Sequence, residues 1–399
     1  MNEKDFDKLL FLDEEIEELK ETALHRKNEK MLEKGIDTDI IDKSDISLSR
    51  KLKKAVDKQI NKKVFRGILL TLLGTLICLV CLSLLFDFSF YNPMKPSRYV
   101  EESEAGYMVH SDFHFLMDIY TGLHFLGKTY WPLEEQNEKE GFGSYHMYAK
   151  IQDVYEPLHI DGRYNTVFEI KQNRYSVESL TEEHHLSRYV WDFYNDSKWE
   201  KENDYVREML DMDEKRMAEI EKLPESAVIY AAVSFDKVKN LKDTLEFIRS
   251  YSESNFGWIA MDSDVQALGG TFDGIRLTTK LGYALTEETN EIYPNLILEY
   301  SDGEVTEEQL EQCYLSRLQI LYDNPDFLAV VEGESGVYNN QLIRKREQIK
   351  RRLDEINTEG LWSIGLYGRI TKEDFLAMVE SGEITYANIK DAKLSVLSK

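Results

Sequence analysis

The residues of this 399-residue chain that could do chemistry are few and scattered. His110 and His114 stand four apart with Asp112 between them. Residues 106–125 alternate and are rich in aromatics, as strands are, and a strand would put His110, Asp112 and His114 on one face. A metal site wants at least one more converging ligand, and His124, His146, His184 and His185 lie dispersed along the chain. No metal is expected. Cys78 and Cys81 have a Cys-x-x-Cys spacing but sit inside an uncharged run, where they read as small apolar residues rather than a redox or zinc pair. Cys313 lies at helical spacing between Leu310 and Leu318 and reads as buried; as the only cysteine outside that run, it leaves no intrachain disulfide there. Asp262 with Asp264, and Glu287 with Glu288, read as solvated loops. Trp258, Trp362 and Tyr367 read as sheet core. The chain has no Gly-x-Ser-x-Gly, His-Glu-x-x-His, phosphate-loop or dinucleotide fingerprint, and no nucleophile stands beside a base. No catalytic residue, cofactor or enzymatic activity is expected.

Composition agrees. The net charge of −25 argues against a nucleic-acid binder, which needs a basic face to meet phosphate. Apolar residues at 42% and charged residues at 31% allow a packed core. The length suits two or three domains. Three cysteines are too few for a disulfide-stapled scaffold.

The element that dominates the layout is Gly67 to Phe86, twenty residues without a charge. At ~1.5 Å per residue, a helix of that length crosses the ~30 Å hydrocarbon core of a bilayer. It is not a cleaved signal: 66 residues precede it and no small-x-small site follows at once. Between Ile46 and Arg66 lie Arg50, Lys51, Lys53, Lys54, Lys58, Lys62, Lys63 and Arg66 against Asp57 alone. The other side opens with Asp87 and then Glu101, Glu102 and Glu104. This asymmetry places the N-terminus in the cytoplasm and the C-terminal part outside the cell membrane. Residues 1–66 hold 16 basic and 16 acidic side chains, so the whole −25 falls on residues 87–399. Lys53, Lys54, Lys58, Lys62, Lys63 and Arg66 are candidates to meet lipid headgroups, each contributing about 1 kcal/mol beside an anionic leaflet.

In the cytoplasmic segment, Phe6, Leu9, Leu12, Ile16, Leu19 and Ala23 recur at helical spacing and form one apolar stripe. A second helix is expected from about Leu48 to the membrane, capped by Ser44 or Ser47, with Leu48, Leu52, Val56, Ile60 and Val64 four apart. Two such helices cannot bury much between themselves. The stripe is therefore the candidate partner-binding face, with a self-satisfied hairpin or a coiled-coil dimer as the other readings.

The expected class is α+β: a helical cytoplasmic segment, one transmembrane helix and mixed α/β extracytoplasmic domains. The divisions are an amphipathic segment over 1–45, a basic juxtamembrane helix over 46–66, the span over 67–86 and a linker over 87–98. A strand-rich region over 99–222 and an α/β domain over 223–399 follow. Asn92 to Ser97 reads as extended chain that lifts the outer part off the bilayer. Strands are expected over Ser144–Val154, Asn165–Lys171, Ala227–Phe235, Phe256–Met261, Leu361–Ile370 and Ile384–Leu394. Helices are expected in 195–222, Val238–Tyr251, Thr306–Tyr322, Tyr338–Asn357 and after a Thr371 cap to Val379, with Gly360 as a stop.

Four stretches carry a family resemblance. They are LPESAVIYAAVSFDK (Leu223 to Lys237), FGWIAMD (Phe256 to Asp262), KLGYAL (Lys280 to Leu285) and GLWSIGLYGRITKEDFLAMVESGEITYANIKDAKL (Gly360 to Leu394). In that order they resemble the sigma-factor-regulator C-terminal region of membrane-anchored anti-sigma factors of Gram-positive bacteria. The span with DIYTGLHFLGK is similar to the family's N-terminal region. The resemblance covers roughly residues 60–395; residues 1–60 match least and lack the His-Cys-Cys zinc motif of many anti-sigma proteins. It implies that the cytoplasmic segment holds an extracytoplasmic-function sigma factor away from RNA polymerase, while the outer domain senses envelope stress or binds a second membrane protein. Nucleic acid would not be contacted directly. The alternative is an envelope-binding or structural membrane protein with no sigma partner.

Overall fold

The computed structural model describes residues 38–101, 111–155, 165–179, 193, 208, 210–262, 273–277, 284–298, 305–332 and 339–394. The chain divides into two units, Met1–Cys81 and Leu82–Lys399.

The described part of the first unit is helical. Helix α1, Thr38–Ser89, runs on into the second unit. Residues 38–66 contain neither glycine nor proline, so nothing interrupts the backbone ladder before Gly67. This corrects the expected start near Leu48: Ser44 and Ser47 lie inside the helix and do not cap it. Val56–Ser89 is long and apolar enough to cross a membrane, and none of its most apolar window is buried within the protein. Thr71 Oγ1 donates to the Gly67 carbonyl and Thr75 Oγ1 to the Thr71 carbonyl, both at 2.9 Å. These two hydroxyls are thus satisfied within the helix itself.

The second unit is built on two antiparallel sheets. The first comprises β1 (Lys128–Pro132), β2 (Glu138–Gly141), β3 (Ser144–Asp153), β4 (Asn165–Lys171) and β5 (Arg174–Ser179). Its order is β1-β3-β4-β5, with β2 also paired to β3. Period-two alternation decides its faces: Tyr145, Met147, Ala149 and Ile151 are buried, as are Phe168 and Ile170 across from them. Helix α2, Asp112–His124, packs against that face, with the Phe113 and Phe168 rings edge to face at 5.6 Å.

Helix α2 overturns the strand expected over residues 106–125 for its described part, from Ser111 on; residues 106–110 lie outside the described residues. Ser111 caps it, accepting from the His114 N–H, and Asp112 occupies the first turn. Every residue from Asp112 to Leu123 is buried. A helix covered all round shows no one-sided stripe, and Phe113 with Phe115 mimics strand alternation. Residues 92–97, expected as an extended lift, instead fold onto the domain. Pro93 is buried, Met94 packs on the core, and the Asp112 N–H donates to the Lys95 carbonyl at 3.1 Å.

Between the sheets in sequence lies the short α3, Glu214–Glu221. The second sheet has the order β10-β6-β9-β7-β8. Its strands are β6 (Ala227–Asn240), β7 (Asn255–Met261), β8 (Gly274–Arg276), β9 (Trp362–Thr371) and β10 (Ile384–Leu394). The other helices are α4 (Leu241–Ser250), α5 (Glu287–Ile292), α6 (Glu307–Tyr322), α7 (Pro325–Glu332), α8 (Asn339–Glu359) and α9 (Lys372–Glu380). Asn240, Thr306 and Thr371 cap α4, α6 and α9, and Thr306 with Gln309 completes a capping box. The Asn240 cap moves the expected helix start from Val238 to Leu241, because β6 runs on to Asn240. Gly360, at φ +76°, ends α8. On one face of this sheet Ile229, Val233, Ile259 and Leu366 join the main core. On the other, Ala232, Trp258, Ala260, Ile364 and Tyr367 meet Val154 and Phe193. Trp258 and Tyr367 are thus core, but Trp362 is 40% exposed because its indole turns to the Glu359 carbonyl at 3.0 Å. Glu287 and Glu288 are exposed on the first turn of α5 and not in a loop.

Candidate functional site

The apolar stripe Phe6, Leu9, Leu12, Ile16, Leu19 and Ala23 lies outside the described residues, as does His110. Lys53, Lys54, Lys58, Lys62, Lys63 and Arg66 are all exposed on α1. Cys78 and Cys81 are exposed on the same helix and Cys313 is buried. No group of three or more metal-ligating side chains is found among the described residues.

His114 and Asp112, expected side by side, go separate ways on α2. Asp112 accepts from the Arg98 N–H at 3.0 Å. Desolvation raises the Asp112 pKa above its usual value, although hydrogen bonding and Arg98 oppose that shift. His114 is fully buried between Tyr130 and Asn137. The Asn137 carbonyl oxygen accepts from the Tyr148 N–H at 2.9 Å, which fixes the amide orientation. Its Nδ2 therefore donates to His114 Nε2 at 2.9 Å, and His114 Nδ1–H donates to the Tyr130 hydroxyl at 2.5 Å. Both ring nitrogens are engaged in holding α2 to the first sheet. One turn on, Asp118 takes both oxygens to Arg276 of β8, at 2.7 and 2.9 Å. The two side chains are 9% and 4% exposed, so the pair is buried. His124 meets Asp273, just before β8, at 2.7 Å. The Trp258 indole donates to the Gly122 carbonyl at 2.9 Å. Helix α2 thus carries a polar seam to each sheet.

A second constellation surrounds the last turns of α1, Leu82 to Ser89, and faces two hairpin turns of the first sheet. Gly141 pairs with Ser144, leaving Phe142 and Gly143 as a two-residue loop with φ of +52° and +72°. Two positive φ values make the primed turn that matches strand twist. Gln172 and Asn173, at +51° and +63°, form the same kind of turn between β4 and β5. Ser83 Oγ accepts from the Phe142 N–H at 3.4 Å. The Phe86 ring meets Phe142 edge-on at 6.0 Å and Phe90 at 5.5 Å. Asp87 accepts from Lys139 Nζ at 2.5 Å and from the Tyr145 hydroxyl at 3.1 Å. The Tyr91 N–H donates to the Asn173 side-chain oxygen at 2.7 Å.

The electrostatics of this exit explain its partners. A helix C-terminus carries partial negative charge, and a carboxylate there is unfavourable. The last turn of α1 has no basic residue of its own, so Lys139 from β2 supplies the cation. Burial and the Asp87 carboxylate push the Tyr145 hydroxyl up to about 12, so at neutral pH it remains a donor. The arrangement pins the end of an apolar helix to a sheet through an ion pair, two side chain–backbone hydrogen bonds and an aromatic contact.

Sequence reasoning missed this exit. The run Lys139-Glu140-Gly141-Phe142-Gly143-Ser144 carried a hairpin signal in its two glycines. The lone Asp87 after twenty uncharged residues marked a helix end in need of a cation. Neither signal names the other as partner. The chain matches no family model, no curated protein and no solved structure.

Proposed function

We propose that this protein is a single-pass membrane regulator of the anti-sigma type. Its N-terminal segment lies in the cytoplasm and holds an extracytoplasmic-function sigma factor; the Leu82–Lys399 unit faces outward and senses the envelope. The sequence supplies the layout: an apolar cytoplasmic stripe, a basic flank and one span. The observation that carries the reading is the helix exit. A slack tether would isolate an outer domain from its membrane helix. Here Asp87 is held by Lys139 and Tyr145, and Tyr91 by Asn173, so a rearrangement of the first sheet bears directly on the helix end.

The test is to solubilise the full chain from its native membrane and identify what co-purifies. A sigma factor should be retained, and Leu12→Asp with Leu19→Asp should release it. Two buried leucines contribute about 1.5–3 kcal/mol each, so the complex should weaken at least roughly a hundredfold. Sigma-dependent transcription should rise while membrane abundance stays normal. A double variant that still represses at normal abundance would remove the stripe as the contact. Absence of any sigma factor from the wild-type preparation would favour the structural alternative.

A further inference from the structure

We propose that the β2–β3 hairpin tip, Gly141-Phe142-Gly143, is a membrane-interface anchor that seats Phe142 at the headgroup–acyl boundary of the leaflet from which α1 emerges. The proposal rests on the reading of α1 as a membrane span.

Three observations converge. The first is depth. Lys139 and Tyr145 meet Asp87, the first charge after the apolar run, whereas the Phe142 N–H meets Ser83. Ser83 precedes Asp87 by one helical turn, about 6 Å at the helical rise. A Cβ on Gly141 would lie 3.5 Å from the same Ser83 hydroxyl. The hairpin therefore reaches about one turn further toward the bilayer centre than the charge that marks its edge. Interfacial side chains bury to a comparable depth of about 5–10 Å.

The second observation is the residue itself. Phe142 has φ +52°, where asparagine or glycine is favoured and a large side chain is strained. The turn needs no phenylalanine for its own sake. Phe142 is 41% exposed at the tip of a polar hairpin, although its ring meets Phe86 edge-on. Aromatic rings concentrate at this level of membrane proteins, where an apolar body and a nearby wet boundary suit them. The third observation is a second exposed ring at this level. Phe88, in the last turn of α1, is 94% exposed, so Phe142 is not the one large apolar side chain open to the surroundings beside Asp87.

Charge then fixes the kind of contact. Glu138 and Glu140 flank the tip on β2 and are 65% and 58% exposed. Exposed Lys171 and Arg174 flank the neighbouring turn and offset those carboxylates, and Lys139 is committed to Asp87. Insertion should therefore be apolar and insensitive to the anionic-lipid fraction.

The test uses the full chain in nanodiscs of phosphatidylcholine with or without phosphatidylglycerol, with Cys78→Ser and Cys81→Ser. Nitroxide labels are placed at Phe142→Cys, at Leu76→Cys in the span and at Lys150→Cys, at the end of β3 far from the tip. Collision with oxygen, which concentrates in lipid, is compared with collision with a water-soluble nickel chelate. The label at 142 should favour oxygen over nickel by several-fold relative to the label at 150, equally in both lipids. Because the cysteine removes the ring, Phe142→Trp serves as a second variant. Lipids brominated near the headgroup should quench its emission beyond the wild-type background. Nickel access at 142 equal to that at 150, with no added quenching in the tryptophan variant, overturns the anchor. If the label at 76 is also open to nickel, the span itself fails; oxygen access at 76 with nickel access at 142 sinks the anchor alone.

Discussion

Around α2 the two sheets are joined by charges and hydrogen bonds, while the centre of the second sheet is sealed by carbon. The seam holds Asp118 with Arg276, His114 with Tyr130 and Asn137, and His124 with Asp273. The centre holds Ile229, Val233, Ile259, Leu366 and Trp258, all nearly unexposed. Polar contacts are directional: each fixes one register and leaves a costly remnant when a partner is lost. Apolar contacts tolerate exchange of shape but not added volume. Arg276 itself shows how the seam is layered. Its guanidinium meets Asp118, and its backbone carbonyl accepts from Arg317 Nη1 at 3.2 Å. The seam thus specifies how α2 sits, and the second sheet gives it a stiff backing.

The largest test of this contrast is Asp118→Ala. It strands Arg276 in a buried site and should destabilise the unit by about 3–5 kcal/mol, read as a lower urea midpoint of the detergent-solubilised chain. Asp118→Leu combined with Arg276→Met should recover most of that loss, because an apolar pair replaces a buried ion pair at little cost. A single variant within about 1 kcal/mol of wild type would show that the seam does not carry the register.

At the centre, Gly365→Ala should cost about 1–3 kcal/mol by overpacking. An added Cβ would stand 2.2 Å from the Val233 carbonyl oxygen and 2.8 Å from the Phe193 ring. The carbonyl belongs to a paired strand and has nowhere to go. Leu366→Met, which conserves volume, should stay under about 1.5 kcal/mol in the same assay.

Alkaline pH probes the burial of α6 behind the seam. Burial pushes the Tyr314 phenol up to about 12, against 10 in an open chain. The unfolded chain loses that proton from pH 10, and the folded one retains it until about pH 12. The folded state binds more protons in this window, so the stability contribution is complete below pH 10 and falls away toward pH 12. Tyr314→Phe should flatten that part of the stability–pH curve; an unchanged slope would place the cause elsewhere. The smallest effect belongs to the surface. Lys242→Ala breaks the exposed i,i+4 pair with Glu246, at 4.0 Å, and should move stability by less than about 0.5 kcal/mol.

The second half of the chain was legible in sequence because its signals are local. Ala227–Phe235 and Phe256–Met261 are apolar runs that form the bodies of β6 and β7, although β6 continues to Asn240, and Thr306 and Thr371 announce helices by their caps. Strand β1, the paired β2 and the turn at Gln172 were not legible, because Lys128–Pro132 and Glu138–Gly141 are short and weakly apolar. Helix α2 misled for the opposite reason: it is too thoroughly buried to show a face. The exit contacts join residues more than fifty positions apart, Asp87 to Lys139 and Ser83 to Phe142. No spacing rule reaches that far.

Cys313 turns the main core into a timer. Its side chain has no exposure, its thiol donates to the Leu296 carbonyl at 3.6 Å, and burial pushes its pKa up. With Cys78→Ser and Cys81→Ser in place, a thiol-specific reagent in the surrounding medium meets no accessible thiol until α6 parts from its neighbours. The modification rate then measures how often the unit opens, and it approaches the unfolding rate itself when reagent outpaces reclosing. Each opened molecule keeps the added mass, so the fold's lifetime can be counted by weighing the protein.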